Sequence, residues 1–182
     1  RYHNYMDKNS LAKKIADTAI LHGDFTLRSG RKSTWYIDKY LFTTQPDILF
    51  ELGKMFAENI PPKVTLLAGA ELGGIPLVTS AAIASHLPCI FIRNQKKEYG
   101  TLQQLEGNVA PNDSVVIVED VATTGGQVLE AAEVIKATGA VVERIIAVVD
   151  RGEGAKENIE SAGYDFISLF TAHDFGIVEA AT

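Results

Sequence analysis

Residues 115–126 read Val115-Val116-Ile117-Val118-Glu119-Asp120-Val121-Ala122-Thr123-Thr124-Gly125-Gly126. The four apolar residues at the start are all β-branched, a composition typical of a strand buried on both faces of a parallel sheet. Two carboxylates follow where such a strand would end, and a Thr/Gly run then leads into a segment of helical periodicity that stops at Gly139. The stretch predicts a strand, an acidic pair at the edge of the sheet, a loop of small residues and a helix.

The Thr/Gly run, residues 123–126, is suited to hold an anion. Small residues let backbone N–H groups approach a phosphate closely, and the start of the helix adds unpaired N–H groups and the positive end of its dipole. Glu119 and Asp120 can only accept hydrogen bonds when ionised, and the vicinal hydroxyls of a ribose are suitable donors. The stretch therefore indicates a ribose 5-phosphate site, with an ordinary strand–helix corner as the alternative. It lacks the Walker and Gly-x-Gly-x-x-Gly patterns of nucleoside triphosphate and dinucleotide sites.

Length and composition are those of one globular domain. The chain has 182 residues, of which 46% are hydrophobic and 22% charged, and its formal net charge is −6. This composition argues against the disordered and membrane classes, and the negative charge disfavours nonspecific binding of nucleic acid. The single cysteine, Cys89, and four scattered histidines indicate neither a disulfide within the chain nor a structural zinc site. We expect a cytoplasmic protein with neither nucleic acid nor membrane as a partner.

Predicted strands and helices alternate along the rest of the chain. An amphipathic helix, capped by Asn9 or Ser10, is expected to run to residue 21, with Gly23 as its stop. The further helices are expected at residues 46–60, 74–85 and 153–162, and the further strands at residues 24–27, 34–38, 64–68, 88–92, 141–149 and 164–170. This alternation predicts an α/β fold with a doubly wound, mainly parallel sheet whose ligands lie at the carboxyl ends of the strands.

A basic turn at residues 28–33 precedes the aromatic strand at residues 34–38. The two segments form a predicted hairpin, which either carries cations and flat rings over a planar anionic ligand or is a solvated turn with aromatic residues in the core. Three other segments also have two interpretations. Residues 69–76 are either a loop that binds a ligand or a corner that only packs. Residues 93–113 are either a functional loop or a solvated run of charges. Arg151 is either a ligand-binding residue or a surface residue.

Two of these segments resemble a known family. Residues 115–126 resemble the signature with which type I phosphoribosyltransferases bind PRPP, 5-phosphoribosyl-1-diphosphate, and residues 25–33 resemble the N-terminal signature of orotate phosphoribosyltransferase. The resemblance extends over residues 10–170. It implies a glycosyltransferase of the pentosyltransferase class that converts orotate and PRPP to orotidine 5′-monophosphate and pyrophosphate in the synthesis of UMP. It also implies Mg²⁺ as a cofactor held mainly by substrate oxygens, and a homodimer with shared active sites.

The resemblance assigns roles to individual residues. The implied catalytic residues are Lys97, Glu119 and Asp120. The implied PRPP-binding residues are Arg93, Lys97, Tyr99, Glu119, Asp120, Val121, Ala122, Thr123, Thr124, Gly125, Gly126 and Gln127. The implied orotate-binding residues are Arg28, Tyr36, Ile37, Thr123 and Arg151. One phosphoribosyltransferase domain is expected over residues 1–182, with a small hood formed by about residues 10–40 and the C-terminal segment, and with Lys97 on a loop that closes over the neighbouring subunit.

The chain departs from the family pattern at four positions. Arg28 and Asn94 stand where the family commonly has Lys, and Gly73 also replaces a Lys found in many members. Tyr99 stands where many members have His, and because tyrosine does not titrate near neutral pH, we expect no acid–base role for it. Two other functions stay open: a phosphoribosyltransferase for another base such as a purine, and a PRPP-sensing regulator without catalysis. The basic hood and Arg151 argue against the first, and the acidic single domain argues against the second.

Overall fold

The structure is a computed structural model that describes residues 6–27, 30–94 and 104–177. In chain order its elements are α1 (Lys8–Ala19), β1 (Ile20–Thr26), β2 (Lys32–Ile37), α2 (Lys39–Thr43), α3 (Pro46–Asn59), β3 (Leu66–Ala70), α4 (Gly74–Ser85), β4 (Cys89–Ile92), β5 (Leu105–Glu106), β6 (Ser114–Ala122), α5 (Gly126–Lys136), β7 (Val141–Asp150), α6 (Ala155–Ser161) and β8 (Asp165–Thr171), followed by a 3₁₀ turn (Ala172–Phe175).

The central sheet has six strands in the order β5-β4-β3-β6-β7-β8. All neighbouring strands run parallel except β4 and β5, which pair antiparallel. The strand β6, which contains the quoted apolar run, lies between β3 and β7. The predicted doubly wound, mainly parallel α/β sheet is thereby confirmed.

Helices cover both faces of this sheet. Val116 and Val118 of β6 pack in a core with α1, α2, α3 and α4, whereas Val115 and Ile117 pack in a second core with α5 and α6. Each of these four side chains is at most 1% exposed. Successive residues of a strand point to opposite faces, so a strand covered on both sides requires apolar residues without interruption.

A second sheet of two antiparallel strands, β1 and β2, lies apart from the central one. Its pairing corrects the prediction for the N-terminal helix. Asp7, rather than Asn9 or Ser10, caps α1 by accepting a hydrogen bond from the backbone N–H of Ser10 at 2.9 Å. The helix ends at Ala19, and Leu21 lies in β1 opposite Tyr36 of β2. This pairing with a distant segment overrides the helical periodicity that the local sequence continues.

The acidic pair also lies differently from the prediction. β6 does not end before Glu119 but continues to Ala122, because β7 continues beside it and pairs Val149 with Val121 and Asp150 with Ala122. Pro46 occupies the first turn of α3, as predicted. In the described ranges, no helix combines the length and the apolar character needed to cross a membrane.

Candidate active site

Three loops meet at the carboxyl edge of the central sheet. They follow β3, β6 and β7, three adjacent parallel strands whose ends therefore lie side by side. The ends of β6 and β7 are joined directly, because the backbone N–H of Arg151 donates to the carbonyl of Ala122 at 3.0 Å. The topology thus brings residues 71–73, 123–125 and 151–154 together.

A cavity of about 660 Å³ opens at this edge. The loop after β6 and the start of α5 form one wall, and the β1–β2 sheet forms another. The residues that line it are Thr26, Leu27, Tyr36, Ile37, Lys39, Glu119, Val121, Ala122, Thr123, Thr124, Gly125, Gly126, Gln127, Val128, Glu130, Arg151 and Glu153. Most residues predicted for PRPP and orotate therefore share one cavity.

The Thr/Gly loop is held in a shape that presents its backbone. Gly125 has φ 83°, which an L side chain rarely adopts, and a Cβ there would lie 2.9 Å from Cγ1 of Ile159. Asn158 of α6 donates through Nδ2 to the carbonyl of Thr124 at 2.9 Å. Since α5 begins at Gly126, its first N–H groups have no acceptor within the helix. The loop therefore offers backbone donors, hydroxyls and a helix dipole to an anion.

The acidic pair is held from the side of the β3 loop. Glu119 lines the cavity, whereas Asp120 is only 2% exposed and lies behind the cavity wall. The ammonium group of Lys39 lies 2.8 Å from Oδ2 of Asp120. Gly73 lies against the same carboxylate, and a Cβ there would come within 1.8 Å of Oδ2 of Asp120. Asp120 thus fits in place only because residue 73 is a glycine.

Burial and neighbouring charges shift the pKa values of Glu119 and Lys39. Burial and the neighbouring carboxylate of Asp120 raise the pKa of Glu119 to about 8. Burial alone would lower the pKa of Lys39, but the charges of Asp120 and Glu119 outweigh this effect and raise it above its ordinary value. At neutral pH the site without ligand therefore contains a mostly protonated Glu119 beside the Asp120–Lys39 ion pair.

A second wall of the cavity contains Arg151, and Arg31, which is not among the lining residues, shares a carboxylate with it. The guanidinium carbon of Arg151, a residue only 4% exposed, lies 3.9 Å from the centre of the Trp35 ring. Oε1 of Glu153 lies 2.9 Å from Nε of Arg151 and 3.0 Å from a terminal nitrogen of Arg31. One buried carboxylate is shared by two guanidinium groups, so this wall has an excess of positive charge that suits a planar anion.

Four of the predicted residues cannot be assigned to this cavity from the described part of the chain. Arg28, Lys97 and Tyr99 lie outside the described residues. The guanidinium of Arg93 lies 3.7 Å from Oε1 of Glu106, at the junction of β4 and β5, and Arg93 does not line the cavity described above. The roles predicted for these four residues, like those of the residues that line the cavity, stay predictions.

Three neighbours of the predicted residues were not singled out from the sequence. Lys39 follows the aromatic strand directly, and Glu153 lies two residues after Arg151, so their proximity along the chain to predicted residues was an available signal. Trp35 was expected only as one of the hood or core aromatics. The contacts that distinguish these three residues join separate elements, and the sequence pattern does not reveal them.

Comparison with known proteins agrees with this geometry. Residues 42–168 match the model of the phosphoribosyl transferase domain family. The orotate phosphoribosyltransferase of Methanocaldococcus jannaschii is 42% identical over 173 residues, which are 93% of this chain and 97% of that protein.

Solved structures show the same likeness. The crystal structure of Mycobacterium tuberculosis orotate phosphoribosyltransferase superposes with a TM-score of 0.84 at 28% identity, over 93% of this chain and 99% of the other. The same enzyme in complex with 5-phospho-α-D-ribosyl 1-diphosphate gives a TM-score of 0.79 at 26% identity, over 93% and 99% of the two chains. With a matching family model, relatives of this similarity and a common fold, the chain belongs to the orotate phosphoribosyltransferase family.

Proposed function

We propose that the cavity at the carboxyl edge of the sheet transfers the phosphoribosyl group of PRPP to orotate. The products are orotidine 5′-monophosphate and pyrophosphate, and the reaction belongs to the synthesis of pyrimidine nucleotides. The observation that supports this assignment most directly is the shared cavity: Glu119 and the Thr/Gly loop of β6 and α5 line it together with Arg151 and with Tyr36 and Ile37 of the β1–β2 sheet. The complex that the M. tuberculosis relative forms with PRPP supports the assignment of PRPP as a substrate.

The PRPP half consists of the carboxylates and the Thr/Gly loop. Backbone N–H groups and hydroxyls of residues 123–126, at the start of α5, bind the 5-phosphate. Glu119 accepts hydrogen bonds from the ribose hydroxyls, and Asp120, which is ion-paired with Lys39, lies beside it as the second member of the acidic pair. Val121, Ala122 and Gln127 form the surrounding surface of the cavity.

The orotate half consists of the opposite wall. The guanidinium of Arg151 grips the orotate carboxylate bidentately, because its planar fork matches the two oxygens. Tyr36, Ile37 and the hydroxyl of Thr123 enclose the pyrimidine ring, and Arg28 adds a second cation. About residues 10–40 and the C-terminal segment form the hood of a single domain that spans residues 1–182.

The chemistry is a substitution at the anomeric carbon of the ribose. Positive charge grows on the ribose ring as the diphosphate leaves, so the protein needs to hold the two reactants in line and to neutralise the leaving group. Alignment of bound reactants alone can contribute about 7–11 kcal/mol to lowering the barrier. The reaction needs no covalent nucleophile from the protein. Lys97 and Arg93 stabilise the leaving diphosphate, and Tyr99 donates to one of its oxygens.

Magnesium fits this site as part of the substrate complex. Within residues 6–27, 30–94 and 104–177, no group of three or more His, Cys, Asp or Glu side chains is arranged to hold a metal ion. Of the acidic pair, Glu119 lines the cavity, whereas Asp120 forms an ion pair with Lys39. Mg²⁺ held mainly by PRPP oxygens would supply positive charge to the diphosphate.

We also propose a cytoplasmic homodimer in which Lys97 reaches the active site of the neighbouring subunit. A symmetric pair of shared sites then follows. Mixing inactive Lys97→Ala protein with inactive Glu119→Ala/Asp120→Ala protein is expected to restore about a quarter of the wild-type activity, because half of the chains form mixed dimers and each contains one intact site. Steady-state assays after subunit exchange, verified by mass spectrometry, measure this recovery. Exchange without any recovery would exclude shared sites.

A substrate panel tests the function itself. Orotate, adenine, hypoxanthine, guanine and uracil are each incubated with PRPP and Mg²⁺, and pyrophosphate release is measured, with the loss of orotate absorbance as a second readout. We expect turnover with orotate alone, because the second wall of the cavity is cationic and orotate is the anionic base of the panel. Turnover of another base would contradict the orotate assignment. PRPP binding without turnover of any base would identify a regulator.

A further inference from the structure

Lys39 is placed as a binding residue that neither the sequence motifs nor the assigned roles include. It is the first residue of α2, it lines the cavity, and its ammonium group lies 2.8 Å from Oδ2 of Asp120. Its side chain is 32% exposed, whereas that of Asp120 is 3% exposed. An ammonium group has three donors, so the ion pair leaves it able to donate to a ligand on its exposed side.

Cations are few around this cavity in the part of the chain that the structure describes. Among the residues of the described ranges that line the cavity, the cationic side chains are those of Lys39 and Arg151. Arg151 lies on the opposite wall, where it contacts Trp35 and Glu153. Gly73, which lies close to both Asp120 and Lys39, cannot be replaced by any residue with a side chain unless Asp120 moves, since a Cβ would come within 1.8 Å of its carboxylate oxygen.

The charge of the substrate requires such a group. PRPP carries a 5-phosphate, which the loop of residues 123–126 accommodates, and a diphosphate at the other end of the ribose. A ribose that bonds to the acidic pair places this diphosphate beside the same carboxylates, where an unscreened anion would be repelled. A lysine next to Asp120 offsets this repulsion, and its ion pair with Asp120 keeps it close to the bound ribose.

We propose that Lys39 is a PRPP-binding residue, whose ammonium group anchors Asp120 and donates to the diphosphate of bound PRPP. This inference rests on the proposed function, because it takes PRPP as the ligand. Lys39 thus has two proposed contacts, one with Asp120 and one with the diphosphate, and ligands with and without a diphosphate distinguish them. Orotidine 5′-monophosphate has the ribose and the 5-phosphate but no diphosphate, whereas inorganic pyrophosphate has only the diphosphate.

Titration calorimetry in the presence of Mg²⁺ tests the proposal with these three ligands. For Lys39→Met we expect the Kd of PRPP and of pyrophosphate to rise about tenfold or more, the loss typical of one hydrogen bond from a charged group. The Kd of orotidine 5′-monophosphate should rise by a clearly smaller factor, because this ligand lacks the diphosphate and is affected only through Asp120. Lys39→Arg, which keeps the charge, should recover most of the affinity for PRPP.

Two further variants serve as comparisons. Lys54→Met is the matched control, because Lys54 forms a 2.9 Å ion pair with Glu51, its side chain is 29% exposed, and it does not line the cavity. We expect wild-type affinities from it. Gly73→Ala displaces the Asp120 carboxylate, so it should weaken PRPP and orotidine 5′-monophosphate alike. Thermal unfolding of every variant shows whether it is folded.

The outcomes separate the possibilities. A selective loss of PRPP and pyrophosphate in Lys39→Met supports the diphosphate contact. An equal loss of PRPP and orotidine 5′-monophosphate, as expected for Gly73→Ala, would show that Lys39 acts only through Asp120 and would overturn the proposal, and so would unchanged affinities. If the wild-type protein binds none of the three ligands, the proposed function fails first, which is distinct from a failure of Lys39 alone.

Discussion

Replacing Arg151 by Met is expected to lower kcat/KM for orotate by about 30- to 5,000-fold, since truncating one member of a buried charge pair typically costs about 2–5 kcal/mol. The orotate carboxylate loses its bidentate partner, and Met cannot replace the stacked cation over Trp35. The affinity for PRPP should change little, because Arg151 belongs to the other wall of the cavity. Steady-state kinetics with orotate as the varied substrate and calorimetry with PRPP measure the two quantities separately.

The side chain of Arg151 also has a structural contact, which the control has to separate from binding. Its removal leaves Glu153 with Arg31 as its described ion-pair partner, so some loss of thermal stability is expected. Arg151→Lys keeps a charge near Glu153 but lacks the planar fork, and it should remain folded while losing most of the orotate affinity. Arg144→Met is the matched control, since Arg144 contacts Asp165 at 2.6 Å outside the cavity. Equal kinetic losses in Arg144→Met and Arg151→Met would refute an orotate contact.

Replacing Glu119 by Ala is expected to lower kcat/KM for PRPP by about 10²- to 10⁴-fold. The variant loses two hydrogen bonds from the ribose hydroxyls to a charged group, and each such bond contributes about 1.5–3 kcal/mol. Because the same hydrogen bonds align the anomeric carbon with orotate, the loss should appear in kcat as well as in KM. Rapid quench of a single turnover separates the chemical step from product release.

The same residue predicts a pH dependence. In the site without ligand the pKa of Glu119 is raised to about 8, whereas acceptance of two ribose hydroxyls requires the carboxylate. Affinity for PRPP should therefore rise with pH up to about 8 and level off above it; between pH 7 and pH 9 the ionised fraction changes about tenfold. Calorimetry in buffers of different ionisation enthalpy should detect one proton released on binding at pH 7.

Glu119→Gln provides the test of this assignment. It cannot ionise, so its PRPP affinity should be weaker than that of the wild type and flat over the same pH range. Glu133→Gln, a substitution on α5 at a residue whose carboxylate accepts from the Tyr164 hydroxyl at 3.2 Å, is the control that should retain the wild-type profile. A rise with pH that persists in Glu119→Gln would assign the titration to another group or to PRPP itself.

The central part of the fold could be predicted because its burial is visible in the local composition. The apolar run of β6 lies between helices on both faces, and only uninterrupted apolar residues suit that position. The N-terminal segment could not be predicted as well. Leu21 continues a helical periodicity, and it becomes part of a strand only through pairing with β2, a contact that short-range patterns do not contain.

The same distinction applies to the site. Residues 123–126 are small or carry hydroxyls, so a phosphate-binding loop could be inferred from these four consecutive residues alone. Lys39, Glu153 and Trp35 have no such signature, since each obtains its place from a partner on another element. The role of Gly73 could be read only from the structure, where the missing side chain leaves room for Asp120.

The acidic pair and the aromatic side of the cavity belong to different sheets, and this separation has an evolutionary consequence. The acidic pair lies within β6, in the middle of the central sheet, whereas Tyr36 and Ile37 lie on a pair of strands that shares no hydrogen-bonded ladder with it. Mutations in that small sheet can alter the choice of base without disturbing the strand that holds the ribose. A lineage with this architecture can therefore acquire a new nucleobase while it inherits the sugar-phosphate chemistry unchanged.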